Sequence, residues 1–286
     1  MVEPRVLISI DYEPWVAMRQ REFNYATSEK RMEIDDCYTA DSLDELLDIL
    51  NGKPISIYLL GEIALWYPQV PEKIKASGHE LGFHGHFHRT LLDVADLELG
   101  LQLSKSWIEK YNVRGFRAPI LRINKGAYNV LANAGFHYSS SIYGPTGRLQ
   151  KIENIWEIPV STFSPIKKEQ VSWWFPRDFS PRLFSQFEFP FGSSMMIGML
   201  GDNINYWIEK ELKQGKSPIL VLHNYQLVQP DGWPRQMQKS FLWQPWVKLF
   251  TISRRRWLEE IISRFPVGTV GGWLDEVIQE RQQNRD

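Results

Sequence analysis

Two neighbouring runs, Ile55-Ser-Ile-Tyr-Leu-Leu-Gly61 and Gly78-His-Glu-Leu-Gly-Phe-His-Gly-His-Phe-His88, hold the pattern that decides the fold. The first is a short apolar run with β-branched residues, closed by a glycine, and reads as a buried strand over 55–60. Residues 62–77 read as helical, interrupted near Pro68 and Pro71 and stopped by Gly78. His79 to His84 is the next strand candidate. Upstream, Val6-Leu-Ile-Ser-Ile10 predicts a strand that ends in Asp11-Tyr-Glu13. Asp41-Ser42 then predicts the cap of an amphipathic helix with Leu43, Leu46, Leu47 and Leu50 on one face, broken by Lys53-Pro54. Downstream, helices over 93–110 and 125–134 alternate with strands over 112–116 and 136–141. After Pro159 the periodicity fades, and residues 161–202 are dense in aromatics. A helix over 203–213, a buried strand Pro218–His223, a long loop over 224–250 and helices over 254–265 and 273–282 complete the chain. Strands alternating with helices predict an α/β fold with a parallel sheet or barrel. In such folds chemistry sits at the carboxyl ends of strands. Asp11, His84 and His223 each end a strand run, so they are expected to converge on one face.

Composition narrows the classes. The chain has 286 residues, 43% hydrophobic and 23% charged, which excludes a disordered or fibrous protein. Lys plus Arg is 33 against 34 for Asp plus Glu, so no global basic excess points to nucleic acid. A single cysteine, Cys37, excludes an intramolecular disulfide framework and a cysteine-rich zinc site, and it fits a reducing compartment. No secretory hydrophobic region follows Met1, and the longest uncharged run of interest, Phe189–Gly201, is short of the ~20 residues a membrane helix needs. The expectation is a soluble or peripheral protein of the cytoplasm, one domain over 1–286. It would carry an aromatic-rich insertion at about 161–202 and a basic aromatic C-terminal segment at about 225–286.

Four of the six histidines, His79, His84, His86 and His88, fall within ten residues. His84 and His88 are four apart, a spacing that reaches one metal from a tight or helical turn. A helical turn points His86 away from both; an extended stretch puts all three on one face. Taken singly, each of these features also fits a polar loop or a solvated cap. Together, a carboxylate pair at Asp11 and Glu13, the H-x-x-x-H and His223 form a set.

With those residues in hand, the sequence resembles the NodB-type polysaccharide deacetylases, carbohydrate esterase family 4. The resemblance runs through Tyr58-Leu-Leu-Gly61, Gly78–His88, Gly115-Phe-Arg-Ala-Pro119, Gly135-Phe-His-Tyr-Ser-Ser-Ser141 and Pro218-Ile-Leu-Val-Leu-His223, in the family's order. It implies an incomplete, distorted (β/α) barrel. The first motif departs from the commonest version, which has two adjacent aspartates; Asp11-Tyr12-Glu13 is closer to a D-x-E subgroup. Asp35-Asp36 follows no strand.

The resemblance and the residue types together imply a mechanism. Glu13, His84 and His88 would bind one divalent metal, zinc first, with cobalt, nickel and iron also suited to two imidazoles and a carboxylate. Asp11 would be the general base, His223 the general acid, and Arg117 would orient Asp11 and favour its charged form. His79 falls at a position that is structural in the family. The expected reaction is removal of an N-acetyl or N-formyl group from an amino sugar in a glycan-precursor or polysaccharide pathway, the substrate being lipid-linked, nucleotide-linked or polymeric. The alternatives are hydrolysis of a non-sugar linear or cyclic amide, as in allantoinase-like relatives, and a carbohydrate-binding relative without catalysis. Pro119, Trp173, Trp174 and Trp233 are the expected substrate contacts, the tryptophans because exposed rings stack on sugar faces.

From Trp233 to Trp257 the chain carries Arg235, Lys239, Lys248, Arg254, Arg255 and Arg256 with no acid, interleaved with Trp243, Trp246 and Phe250. That mixture suits a membrane interface or the phosphate of a linked substrate. The competing expectation is a barrel-closing loop and helix with buried aromatics and arginines paired to acids such as Glu259 and Glu260.

Overall fold

The structure is a computed structural model, and it describes residues 2–19, 26–90, 93–165, 175, 177–231, 233, 237, 241–242 and 244–283. In chain order the strands are β1 (Val6–Tyr12), β2 (Ser56–Leu59), β3 (Glu80–Phe83), β4 (Gly115–Phe116), β5 (Tyr138–Ser139), β6 (Tyr143–Pro145), β7 (Gln150–Ile152), β8 (Ile155–Glu157), β9 (Val160–Thr162), β10 (Ile219–His223) and β11 (Val267–Gly268). The sheet runs β10-β1-β2-β3-β4-β5-β8-β7, parallel except for the β7–β8 hairpin. Its two ends do not pair with each other, so the barrel is incomplete, as the resemblance implied.

Strand β1 shows why the early residues read as a continuous apolar run: all seven are buried, as expected of a parallel strand covered on both faces. Its side chains alternate. Val6, Ile8, Ile10 and Tyr12 join the large cluster under the helices, while Leu7 belongs to a second cluster with Tyr58, Tyr138 and Val221. Ser9 and Asp11 share Leu7's face by the period of two. The barrel interior is therefore partly polar, and it carries the site at its carboxyl end.

The gap beside β10 is filled from the aromatic-rich segment. Gly192 N–H donates to Ser161 O at 3.0 Å, and Val221 N–H donates to Gly192 O at 2.8 Å. The amino end of the barrel is closed by the C-terminal residues. Strand β11 pairs with the start of β1, and the helix Val270–Gln283 follows it. At that helix's start, Val270 N–H donates to Ser56 Oγ at 2.8 Å and Gly271 N–H to Glu80 Oε2 at 3.0 Å. These acceptors satisfy N–H groups that a helix start leaves without partners.

Three sequence expectations need correction. The leucine-faced helix spans Tyr38–Leu50, beginning before Asp41-Ser42. Cys37 turns the chain in the left-handed region, and Ser42 is buried within the helix, 3.4 Å from the Tyr12 hydroxyl. A buried partner thus outweighed the local capping preference of serine. Over 62–77 the interruption expected near Pro68 is present, dividing the helices Gly61–Trp66 and Gln69–Ala76, but the one expected near Pro71 is not, because Pro71 sits in the first turn of the second helix. The loop expected over 224–250 includes the short helix Asn224–Leu227 and a 3-10 turn, Pro245–Thr251.

Candidate metal centre and active site

Glu13, His84 and His88 meet at the carboxyl ends of β1 and β3. One ligand atom from each lies within 4.8 Å of the other two, and all three residues are buried. Glu13 Oε2 is 2.7 Å from His88 Nε2 and 3.7 Å from His84 Nε2. Asp11 Oδ2 approaches His84 Nε2 at 3.9 Å, and His223 Nε2 approaches Glu13 Oε1 at 3.7 Å. Register explains the convergence: Asp11 on β1 pairs directly with His223 on β10.

Local backbone shapes the histidine turn. Gly85 has φ of +80°, a conformation glycine adopts without strain. Here the chain leaves β3, and His84 and His88 come onto the same site. His86 is directed elsewhere: its Nδ1 is 2.8 Å from Ser104 Oγ. Burial, with the Arg31 charge adding to it, pushes the His86 pKa down to about 4. Gly61 leaves the room this turn needs. A Cβ there would stand 2.3 Å from Ser104 Oγ and 2.9 Å from His86 Cα. Behind the turn, the buried Arg31 and Glu62 form an ion pair, with Nε to Oε2 at 2.8 Å, and Arg31 lies 5.4 Å over the Phe87 ring.

The donor set fits a divalent metal. His84 Nδ1 lies 3.0 Å from the Arg117 carbonyl. Donation to that oxygen leaves the lone pair on Nε2, which faces Glu13. His84 Nε2 and Glu13 Oε2 are buried without an aligned hydrogen bond, the condition of groups shaped for a ligand. Burial opposes charge on Glu13 most strongly. The charge of His88, the close approach of the His84 and His88 imidazoles and the His223 charge together outweigh burial and hold this carboxyl well below the usual range. Burial likewise opposes charge on His88, but Glu13 and then Asp11 shift it upward.

Several supporting residues were not singled out in the sequence. The Tyr225 hydroxyl donates to Glu13 Oε1 at 2.7 Å, and its ring stacks on His223 with centroids 5.0 Å apart. Burial, then the Glu13 charge, moves Tyr225 well above its ordinary pKa, so it stays a proton donor. Asn224 Oδ1 accepts from the Glu13 N–H at 3.1 Å. Arg117 is fully buried, with Nη1 3.5 Å from Asp11 Oδ1. Its Nη2 donates to Ser9 Oγ at 3.1 Å and to Ser140 Oγ at 3.0 Å. Ser9 precedes Asp11 by two, a spacing that could have exposed it; Ser140 and Tyr58, whose ring lies 4.5 Å under the guanidinium, depend on the fold.

A cavity of about 360 Å³ opens onto Asp11, Glu13, His88 and His223. Pro119 is buried and does not line it; its neighbours Ile120 and Leu121 do. Both adopt positive φ, 59° and 53°. That is rare for a β-branched residue and is tolerated where the surroundings enforce it. Trp233 packs near Tyr225, with centroids 6.3 Å apart, and is not part of the lining. Trp246 is part of it, and Trp173 and Trp174 lie outside the described residues. The basic aromatic segment divides. Trp257 is buried with Nε1–H donating to Asn205 Oδ1 at 2.9 Å, Arg255 pairs with Glu45 and Glu259, and Arg254 donates to the Gly198 carbonyl. Glu260 pairs with Arg264, not with these arginines. Lys248, Arg256 and Trp246 are exposed; Arg235, Lys239 and Trp243 lie outside the described residues.

Comparison with known proteins finds similarity to one family. The family model described as polysaccharide deacetylase matches residues 31–139, the span that includes the histidine turn and Arg117. Over that span the chain is similar to the polysaccharide deacetylase family. A peptidoglycan deacetylase-like protein of Gibberella zeae is 25% identical over 65% of this chain and 56% of its own. The chain thus spans little more than half the length of that curated relative. A Mycobacterium smegmatis protein assigned to the polysaccharide deacetylases shares the fold, with a TM-score of 0.61 at 16% identity over 99% of this chain and 93% of that one. A 4-alpha-glucanotransferase from Thermococcus litoralis also shares it, with a TM-score of 0.51 at 13% identity over 95% of this chain and 38% of that one. Among the described residues no helix is long and apolar enough to cross a membrane.

Proposed function

We propose that this chain is a metal-dependent deacylase that hydrolyses the N-acetyl or N-formyl amide of an amino sugar in a cytoplasmic glycan-precursor pathway. The observation that carries the reading is the buried Glu13, His84 and His88 triad flanked by Asp11 and His223. A zinc ion held by those three residues would polarise the amide carbonyl and lower the pKa of water.

The chain's own groups supply the proton transfers. Asp11 takes the proton of the attacking water, and Arg117, buried beside it, holds its orientation. His223 protonates the departing nitrogen as the C–N bond breaks. Burial pushes His223 down despite the charges of Glu13 and Asp11, so its imidazolium gives up a proton readily. Binding alone needs no such base and acid, which favours catalysis over an inactive relative. Lys248 and Arg256, exposed in the segment that supplies Trp246, would meet the phosphate of a nucleotide or lipid linkage.

The test is acetate and formate release by zinc-loaded protein across N-acylated monosaccharides, nucleotide sugars and lipid-linked sugars. Release is expected, with Asp11→Asn slower by roughly 10²–10⁴-fold. Absence of release from every substrate, or undiminished turnover by Asp11→Asn, refutes the reading.

A further inference from the structure

The walls of the cavity are unlike a surface made for sugar hydroxyls. Apart from Asp11, Glu13, His88 and His223, most of its lining is apolar, including Met18, Leu121, Met195, Val221, Val247 and Phe250. Among the described residues the remaining polar lining is Tyr143, Ser194, Gln244 and Tyr225, and the Tyr225 hydroxyl is already committed to Glu13. A sugar carries a hydroxyl on most ring carbons, and each one turned against an apolar wall loses its water partners without gaining another. The apolar surface also continues outward. Ile120 and Trp246 both line the cavity yet remain 40% and 53% exposed, which puts them at its mouth. Leu242, in the same segment as Trp246, is 82% exposed. Exposed apolar surface joined to an apolar cavity marks a ligand contact more than a folding requirement. The wall also reaches the reacting groups themselves: Phe250 sets its ring edge-to-face with His223, centroids 5.5 Å apart.

We infer that the cavity is a hydrocarbon subsite, and that the substrate is an amphiphilic amide carrying an alkyl or aryl group within reach of the scissile bond. The inference rests on the deacylase reading for the bond that is cut, and adds the apolar group. That group could belong to the acyl side, as a chain longer than acetyl, or to the amine side, as an apolar aglycone of the sugar. Both present the same chemistry to Val247, Phe250 and Trp246.

Two ligand series separate these sources. One is N-acylglucosamine with acetyl, butanoyl, hexanoyl and octanoyl groups; the other is N-acetylglucosamine as methyl, butyl, hexyl and octyl glycosides. kcat/KM is measured with zinc-loaded enzyme, and Kd by calorimetry with the Asp11→Asn variant. Along one series kcat/KM should rise and Kd fall by up to about fourfold per methylene, the value of a fully buried CH₂. Trp246→Ala should flatten that dependence over the longer members. The series that responds identifies the side. Flat dependence in both series, or a chito-oligomer preferred over every alkyl ligand, overturns the inference while leaving deacylation intact. A graded Kd with no hydrolysis of any ligand leaves the subsite standing and refutes the deacylase reading instead.

Discussion

Tyr225→Phe isolates one atom of the site. The phenol donates to Glu13 Oε1 at 2.7 Å, and Glu13 is almost fully buried. Its ring, stacked at 11° on His223, is unchanged by the substitution. The hydroxyl occupies one carboxylate oxygen and leaves Oε2 to face the two histidines. A hydrogen bond to a charged group contributes about 1.5–3 kcal/mol, equivalent to roughly 10–150-fold in an equilibrium constant. Loss of an outer partner of a metal ligand typically weakens affinity by about 10–100-fold. Zinc affinity of Tyr225→Phe should therefore fall by about 10–100-fold, measured by competition with a chromophoric chelator. The visible absorption of the cobalt-loaded protein should change as well, because the carboxylate is no longer fixed by one oxygen. An affinity within threefold of the parent and an unaltered cobalt spectrum would falsify the assignment and leave Tyr225 as a packing residue for His223.

Three further outcomes follow from the same geometry. His84→Ala and His88→Ala should lose about one zinc per chain by elemental analysis, while His86→Ala keeps it, since His86 is held by Ser104; metal loss only in the His86 variant reverses the ligand assignment. Glu62→Ala should cost about 3–5 kcal/mol in urea unfolding, because it removes the carboxylate from the buried Arg31; a cost under 1 kcal/mol means that the pair is dispensable. Burial pushes Asp35 up to about 6 from an ordinary 3.8. The folded state then holds the proton more tightly, and stability declines as pH rises from about 4 through 6, by up to about 3 kcal/mol. Asp35→Asn should flatten that decline in chemical denaturation at fixed pH values, and an unchanged slope assigns the proton elsewhere.

Much of the site was legible in the linear order of residues. Runs such as Val6–Ile10 and Pro218–His223 are apolar because parallel strands are buried on both faces, and chemistry collects where such strands end. Asp11, Glu13, His84, His88 and His223 could thus be named as one set before any contact was seen. The sequence left open whether His86 joined its neighbours. Only the approach of Ser104, on the helix Val94–Lys110, turned its ring away. Tyr225 was equally hidden: it stands two residues beyond His223, yet its role depends on a carboxylate 212 positions away. Pro119 and Trp233 illustrate the converse, since a motif position and a ring suited to stacking suggested substrate contacts while packing assigned the cavity wall to Ile120, Leu121 and Trp246. The linear sequence determined which groups could be ionised, bind metal or enter a strand, because those are properties of side chains and their near neighbours. The tertiary structure decided which of them share a cavity, because burial and hydrogen bonding are set by elements that meet from distant parts of the chain.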